Sequence, residues 1–317
     1  MKKQFFLPVI FIWLCLWYQC SAFADEVQKK TKPWQGELTL GADYNTNASG
    51  ESRSFKAITD ESGWSFPNSL GLRYDVFKEG PWAGQLAYVN SNAFYAGLEQ
   101  LNLITHTTTF NLSHKQKVAG RPVTIVLSPT FSHATVDRKY YSGSYVQPIS
   151  VITSLADWHR MVLTNTFSWP DYKLKGAVPA ATSREGSYYS LSWVNNFYPD
   201  PGNKRRYWQA GYDFGVDETE GSNFARDSQG FRLGVFFPFC WDSDFQVRYK
   251  YRKSDFSESL DVIKREDNFH SLGFTLNIPV REDWVLTPHY IYTNNLSSNG
   301  VFRYANHTAG ATMTYSF

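Results

Sequence analysis

Polar and apolar residues alternate one by one through much of this chain. Phe245, Val247, Tyr249 and Tyr251 interleave with Asp244, Gln246, Arg248, Lys250 and Arg252. Trp208, Ala210, Tyr212, Phe214 and Val216 alternate in the same way with Gln209, Gly211, Asp213 and Gly215. So do Phe231, Leu233, Val235 and Phe237, Leu70, Leu72, Tyr74 and Val76, and Trp284, Leu286, Pro288, Tyr290 and Tyr292 with their neighbours. A period of two belongs to a β-strand with two unlike faces. Each stretch runs for roughly ten residues, which is the length a tilted strand needs to cross hydrocarbon. Strands of soluble domains are usually about five or six residues long.

The end of the chain follows the same rule. Residues 303–317 alternate a small or polar set with Ala305, His307, Ala309, Ala311, Met313, Tyr315 and Phe317, and stop on an aromatic residue, as closing strands of outer-membrane barrels do. The connections fall into two classes. Tight ones sit at Lys78–Pro81, Val118–Arg121, Ser154–Asp157, Pro199–Gly202, Phe239–Asp242 and Val280–Asp283. Longer polar ones lie near 46–65, 93–99, 138–143, 170–185, 218–227, 255–265 and 295–302. Short periplasmic turns and longer external loops mark a barrel of the outer membrane, with both termini periplasmic. The pattern predicts strands at 36–46, 66–78, 82–92, 100–115, 121–136, 144–153, 158–169, 186–198, 204–217, 228–238, 243–254, 267–279, 283–294 and 303–317. The fold class is therefore all-β, a 14-stranded antiparallel transmembrane β-barrel.

The other end of the chain agrees with export. Lys2 and Lys3 precede an apolar run from Phe5 to Trp17 and an Ala22-Phe23-Ala24 site, the layout of a cleaved signal peptide. The expected organisation is a signal peptide at 1–24, a short periplasmic tail at 25–35 and the barrel at 36–317. Removing Lys2 and Lys3 from 31 basic residues balances the 29 acidic ones, so charge makes no case for nucleic acid. Only Cys240 of the three cysteines lies beyond the signal, which leaves no internal disulfide and no cysteine-built metal site. No cofactor is expected. Aromatic residues reach 17%, as the interfacial girdles of a barrel require. Trp82, Trp208, Trp241 and Trp284 sit beside short turns and read as girdle anchors.

Facing follows from charge. A basic side chain turned to lipid at mid-membrane costs roughly 2–4 kcal/mol. Arg248, Lys250 and Arg252 are therefore expected in the lumen, with Arg232 on the preceding strand, Arg73 and Asp75 near the start of the barrel, and Asp213 and Asp217 one strand from Arg232. Two readings stand side by side: a basic stripe that attracts anionic or polar solutes, and an ion-pair network with Asp213, Asp217 and Asp244 that shapes a wet interior. The seven histidines are spread over many strands without a serine or carboxylate partner at a telling spacing, so no enzyme is expected. His270 and His307 fall on apolar faces near strand ends, where an interfacial structural role is expected.

Three segments resemble the barrel domain of surface lipoprotein assembly modifiers. The first is Gly41-Ala42-Asp43-Tyr44-Asn45-Thr46-Asn47-Ala48. The second is the recurrence of an Arg-Asp or Arg-x-Asp start, an apolar strand, a proline turn and a tryptophan (Arg226-Asp227 to Pro238 and Trp241; Arg265-Glu266-Asp267 to Pro279 and Trp284). The third is the last hairpin, Tyr292 to Asn299 and Phe302-Arg303-Tyr304. The resemblance covers most of 36–317 and implies that the barrel helps a secreted protein or lipoprotein cargo across the outer membrane. That family usually carries a periplasmic tetratricopeptide domain ahead of the barrel; this sequence departs from it, with about ten residues between the expected cleavage site and the first strand, so a separate periplasmic helical-repeat partner would have to supply one. The expected partners are outer-membrane lipid and the barrel assembly machinery, reached through the closing strand. Leu40, Ala311, Tyr315 and Phe317 mark the seam and insertion signal. A passive porin-like channel and an adhesin or structural barrel are the other expectations.

Overall fold

The computed structural model describes residues 33–47, 62–98, 101–172, 185–219, 224–257 and 264–317. The expected signal peptide at 1–24, nearly all of the tail at 25–35 and most of the first external loop lie outside the described residues.

Alternation becomes strand wherever it was read. In chain order these are β1 (Trp34–Asn45), β2 (Gly63–Glu79), β3 (Trp82–Tyr95), β4 (Leu103–Val118), β5 (Arg121–Leu127), β6 (Thr130–Val136), β7 (Lys139–Ala156) and β8 (His159–Tyr172). The second half holds β9 (Gly186–Phe197), β10 (Tyr207–Thr219), β11 (Arg226–Pro238), β12 (Asp244–Phe256), β13 (Glu266–Arg281), β14 (Trp284–Ser297) and β15 (Tyr304–Ser316). β5 and β6 are halves of one strand, interrupted at Ser128-Pro129, where proline withholds a ladder donor. Counted so, the wall has fourteen strands.

Each strand pairs antiparallel with its sequence neighbour, and β1 closes the ring on β15. Closure removes both sheet edges, which is the condition for a sheet to sit in lipid. At the seam Gly36 and Phe317 exchange two backbone hydrogen bonds of 2.9 Å, and the Phe317 ring lies over Gly36, where a larger side chain would collide with it. The register places Leu40 opposite Met313 and Ala311 opposite Ala42, so Leu40 and Ala311 share the seam without facing one another.

One expected loop is strand. The stretch 138–143, read as an external loop, belongs to β7, and the reversal is the two-residue turn Asp137-Arg138. Both residues have positive φ, 49° and 59°, as a type I′ hairpin turn requires. Tyr140, Ser142, Gly143 and Ser144 pair with β6, and Tyr141 is bulged out of the ladder between them.

Hydrophobicity is turned outward. Leu38, Leu70, Leu86, Leu163, Phe167, Phe214, Phe231, Leu233 and Val235 are all exposed on the outer wall. Trp34, Trp82, Trp158, Trp208 and Trp284 are exposed near the short-turn end, and Tyr44, Trp64, Phe94 and Trp169 towards the long-loop end. An apolar band between two aromatic girdles is the surface a barrel offers to a bilayer. Among the described residues no helix is long and apolar enough to cross a membrane.

Candidate functional site: the barrel interior

The interior face is the set of positions opposite those exposed leucines and aromatics. On β11 and β12 it carries Arg226, Arg232, Arg248, Lys250 and Arg252, with Lys250 directly across from Arg232. Gly234 stands opposite Arg248 and Gly230 opposite Arg252. At Gly234 the space a side chain would take is filled by the Phe236 ring, and at Gly230 by the β12 backbone at Tyr251 and Arg252. At Gly211, opposite Arg232, an added Cβ would come within 2.9 Å of the Arg232 stem and 3.0 Å of a backbone oxygen, so the arginine lies flat against β10 only because that position is bare.

Part of the charge is compensated on this wall. Arg232 donates to Asp213 through Nε at 3.1 Å and through Nη2, and its Nη2 also donates to Ser192 Oγ at 3.0 Å. Arg226 lies 3.7 Å from Asp217. Arg265, just before β13, is held by Asp267 and sandwiched between the Phe256 and Phe302 rings at 3.9 and 3.3 Å. Arg248 packs over Phe236 at 5.2 Å and donates to Gln246 at 2.7 Å, and Arg252 packs over Phe269 at 5.4 Å. The aromatic faces hold the cations in place without neutralising them.

Asp244 does not join this network. Its carboxylate accepts from Arg205 Nε at 2.9 Å, and Arg205 also binds Asp242, tying the β9–β10 and β11–β12 periplasmic turns together. Those two carboxylates hold the Arg205 guanidinium above its ordinary pKa. Arg73 and Asp75 lie apart from the β11–β12 row, on β2 near the periplasmic end. Arg73 is 3.7 Å from Glu37, and Asp75 accepts from Gln85 at 2.9 Å.

The wall formed by β3 to β8 is of another kind. Its interior positions include Ala87, Ala93, Thr109, Thr130, Ala134 and Val146, all buried. Cross-strand hydroxyl pairs link it: Thr109 with Thr130 at 3.0 Å, Ser132 with Ser144 at 2.7 Å and Ser150 with Thr164 at 2.9 Å. The interior is thus lopsided, cationic and aromatic on β10 to β13, and mostly small and uncharged on β3 to β8, where Arg160 near the periplasmic end of β8 is an exception.

His289 is the histidine that enters this interior with a carboxylate beside it. Nε2 sits 3.1 Å from Asp43 Oδ1, and Nδ1 is 3.4 Å from the Thr287 carbonyl oxygen. Both ring nitrogens face oxygen acceptors, so neither is free to take a proton from a hydroxyl nucleophile. Among the described residues no three His, Cys, Asp or Glu side chains converge as metal ligands would.

Comparison with known proteins adds to the fold. No protein-family model matches the sequence, and no curated protein does. Solved structures match its shape. TodX, described as a monoaromatic hydrocarbon channel (a deltaS2 mutant), is 11% identical, with 90% of each chain covered and a TM-score of 0.51. Acinetobacter baumannii OccAB3 is 9% identical over 90% of this chain and 99% of its own, at a TM-score of 0.48. A BenF-like porin from Pseudomonas fluorescens Pf-5 is 8% identical over 91% of this chain and 100% of its own, at 0.46. The chain is a multi-pass β-barrel of the Gram-negative outer membrane, and its fold is similar to that of TodX.

These findings correct the resemblance to surface lipoprotein assembly modifiers. No model of that family matches, and TodX, whose fold the chain is similar to, is described as a monoaromatic hydrocarbon channel. The segments that suggested the resemblance are explained by barrel construction alone. Asn-rich and Arg-x-Asp stretches sit where strands meet loops, and the recurring proline and tryptophan sit where strands reach the periplasmic interface. Protein export loses its support with the resemblance.

Proposed function

We propose that this barrel is a passive, porin-like channel for small polar or anionic solutes, with the basic row of β11 and β12 as its selective wall. The observation that carries the reading is the lopsided interior. Arg248, Lys250 and Arg252 follow one another on a single face, each across from glycine or a further cation, while the facing wall carries no comparable acidic row among the described residues. A cationic wall with low-dielectric surroundings concentrates anions along it. The fold shared with TodX, itself a hydrocarbon channel, supports a conduit. On this reading the barrel performs no chemistry, in keeping with the engaged nitrogens of His289.

The test is electrical. Purified protein in planar bilayers should conduct steadily and prefer chloride over potassium. Changing Arg248, Lys250 and Arg252 together to glutamine should move the reversal potential towards no preference. A barrel that inserts but stays silent, or one whose selectivity ignores the triple change, would sink the reading.

A further inference from the structure

We propose that His106, His133, His270 and His307 form a belt on the outer wall that donates hydrogen bonds to the phosphate groups of outer-leaflet glycolipids. This rests on the outer-membrane location and not on the channel reading.

The register puts all four side chains outside. His270 lies opposite Tyr251, which itself faces Phe231 on the exposed apolar surface. His307 lies opposite Tyr292, and His106 lies opposite His133. His106, His133 and His307 are exposed and His270 is half-buried. Measured from the periplasmic turn of each strand, at about 3.3 Å per residue and a tilt of about 40°, they stand roughly 23–30 Å up the wall. The apolar band of such a barrel is about 25 Å tall. The four therefore fall within about 7 Å of one another in height, around the outer edge of the apolar band.

Three of them are held alike. Tyr88 Oη lies 2.8 Å from His106 Nδ1, Tyr249 Oη 2.9 Å from His270 Nδ1 and Tyr290 Oη 2.6 Å from His307 Nδ1. His133 packs on the Tyr140 ring at 5.1 Å and on His106 at 6.4 Å. A phenol that donates to Nδ1 fixes the ring proton on Nε2. Nε2 then presents an N–H, and on these three rings it has no hydrogen-bond partner among the described residues.

A girdle needs only amphipathic rings, and tryptophan or tyrosine supplies them. The other end of the barrel illustrates this: His114 packs at a tilt against Trp82 at 4.2 Å, and His159 stacks on Phe197 at 4.8 Å with its Nε2 3.0 Å from Asn195 Oδ1. At the outer level the recurring Tyr–His pair does more, since it aims a donor at the surface. The ligand that rewards such donors is an anionic oxygen, because a charged partner roughly doubles the strength of a hydrogen bond. In the outer leaflet that oxygen belongs to the phosphates of the glycolipid.

Native mass spectrometry of the folded barrel tests this with bisphosphorylated lipid A and its fully dephosphorylated counterpart. The wild-type chain should retain the bisphosphorylated form about tenfold more. Changing His106, His133, His270 and His307 together to leucine should abolish that preference. If this variant fails the heat-dependent gel shift of a folded barrel, the set Tyr88→Phe, Tyr249→Phe and Tyr290→Phe keeps every imidazole and should cut the preference part-way. Equal retention of both lipids by the wild type, or an undiminished preference in the folded variants, overturns the proposal. Inorganic phosphate without lipid should give no histidine-dependent adduct. If it does, the assignment to lipid is wrong.

Discussion

Ala119 occupies the left-handed region at φ 50°, beside Gly120 at 77°. A two-residue hairpin turn demands that backbone, and a Cβ there costs roughly 1–2 kcal/mol. Ala119→Asn or Ala119→Gly should therefore raise the unfolding free energy by about 1 kcal/mol, read from urea titration of the barrel in lipid vesicles. Arg232 and Asp213 give the opposite case. Their side chains are 13% and 18% exposed, so Asp213→Ala leaves a cation without its main counter-charge on the interior wall. The same titration should record a loss of about 2 kcal/mol, and adding Arg232→Met to the variant should restore most of it. That these cations should face inward follows from the sequence alone, because lipid excludes them. Which carboxylate meets which cation was not. The choice depends on register between strands, and the capture of Asp244 by Arg205 depends on how two turns lie side by side.

At the scale of the strand, alternation carried most of the fold. Every expected strand is present, and most run beyond the predicted ends because barrel strands continue past the lipid into polar surroundings. The misjudged loop at 138–143 shows the limit. Its hairpin turns on Asp137-Arg138, without the Asn-Gly or Gly-Gly that advertises such a turn, so the polar residues after it read as loop. The Tyr–His pairs were hidden for the same reason as the ion pairs, since partners such as Tyr249 and His270 meet only across strands. Pro67 marks a weak point in an otherwise continuous ladder. β1 and β2 pair up to Leu40 with Asn68 and resume at Asp43 with Ser65, leaving Gly41 and Ala42 without ladder partners on β2. Pro67→Val returns a backbone donor there. Amide exchange next to the seam should slow, and stability should rise by about 1 kcal/mol.

The whole molecule is a ring, and its seam offers a test of where solutes pass. Thr39 and Thr314 face each other on the interior side with their hydroxyls 3.0 Å apart. Cysteines at both positions should form a disulfide across the seam, visible as a protein that stays barrel-like on gels after heating unless reduced. Conductance in planar bilayers should be the same before and after reduction if the path is the lumen. A current that depends on the bridge would place the path at the wall. The seam also orders events in time. β1 is among the first parts of the barrel to leave the ribosome, yet its partner β15 is the last, and the two are separated by nearly the entire chain. Until Phe317 pairs with Gly36, Trp34 to Asn45 has one flank without a ladder partner, and the unclosed wall keeps two open edges. Closure is therefore what separates a finished barrel, with no edge to offer, from an open sheet whose two edges another strand could extend.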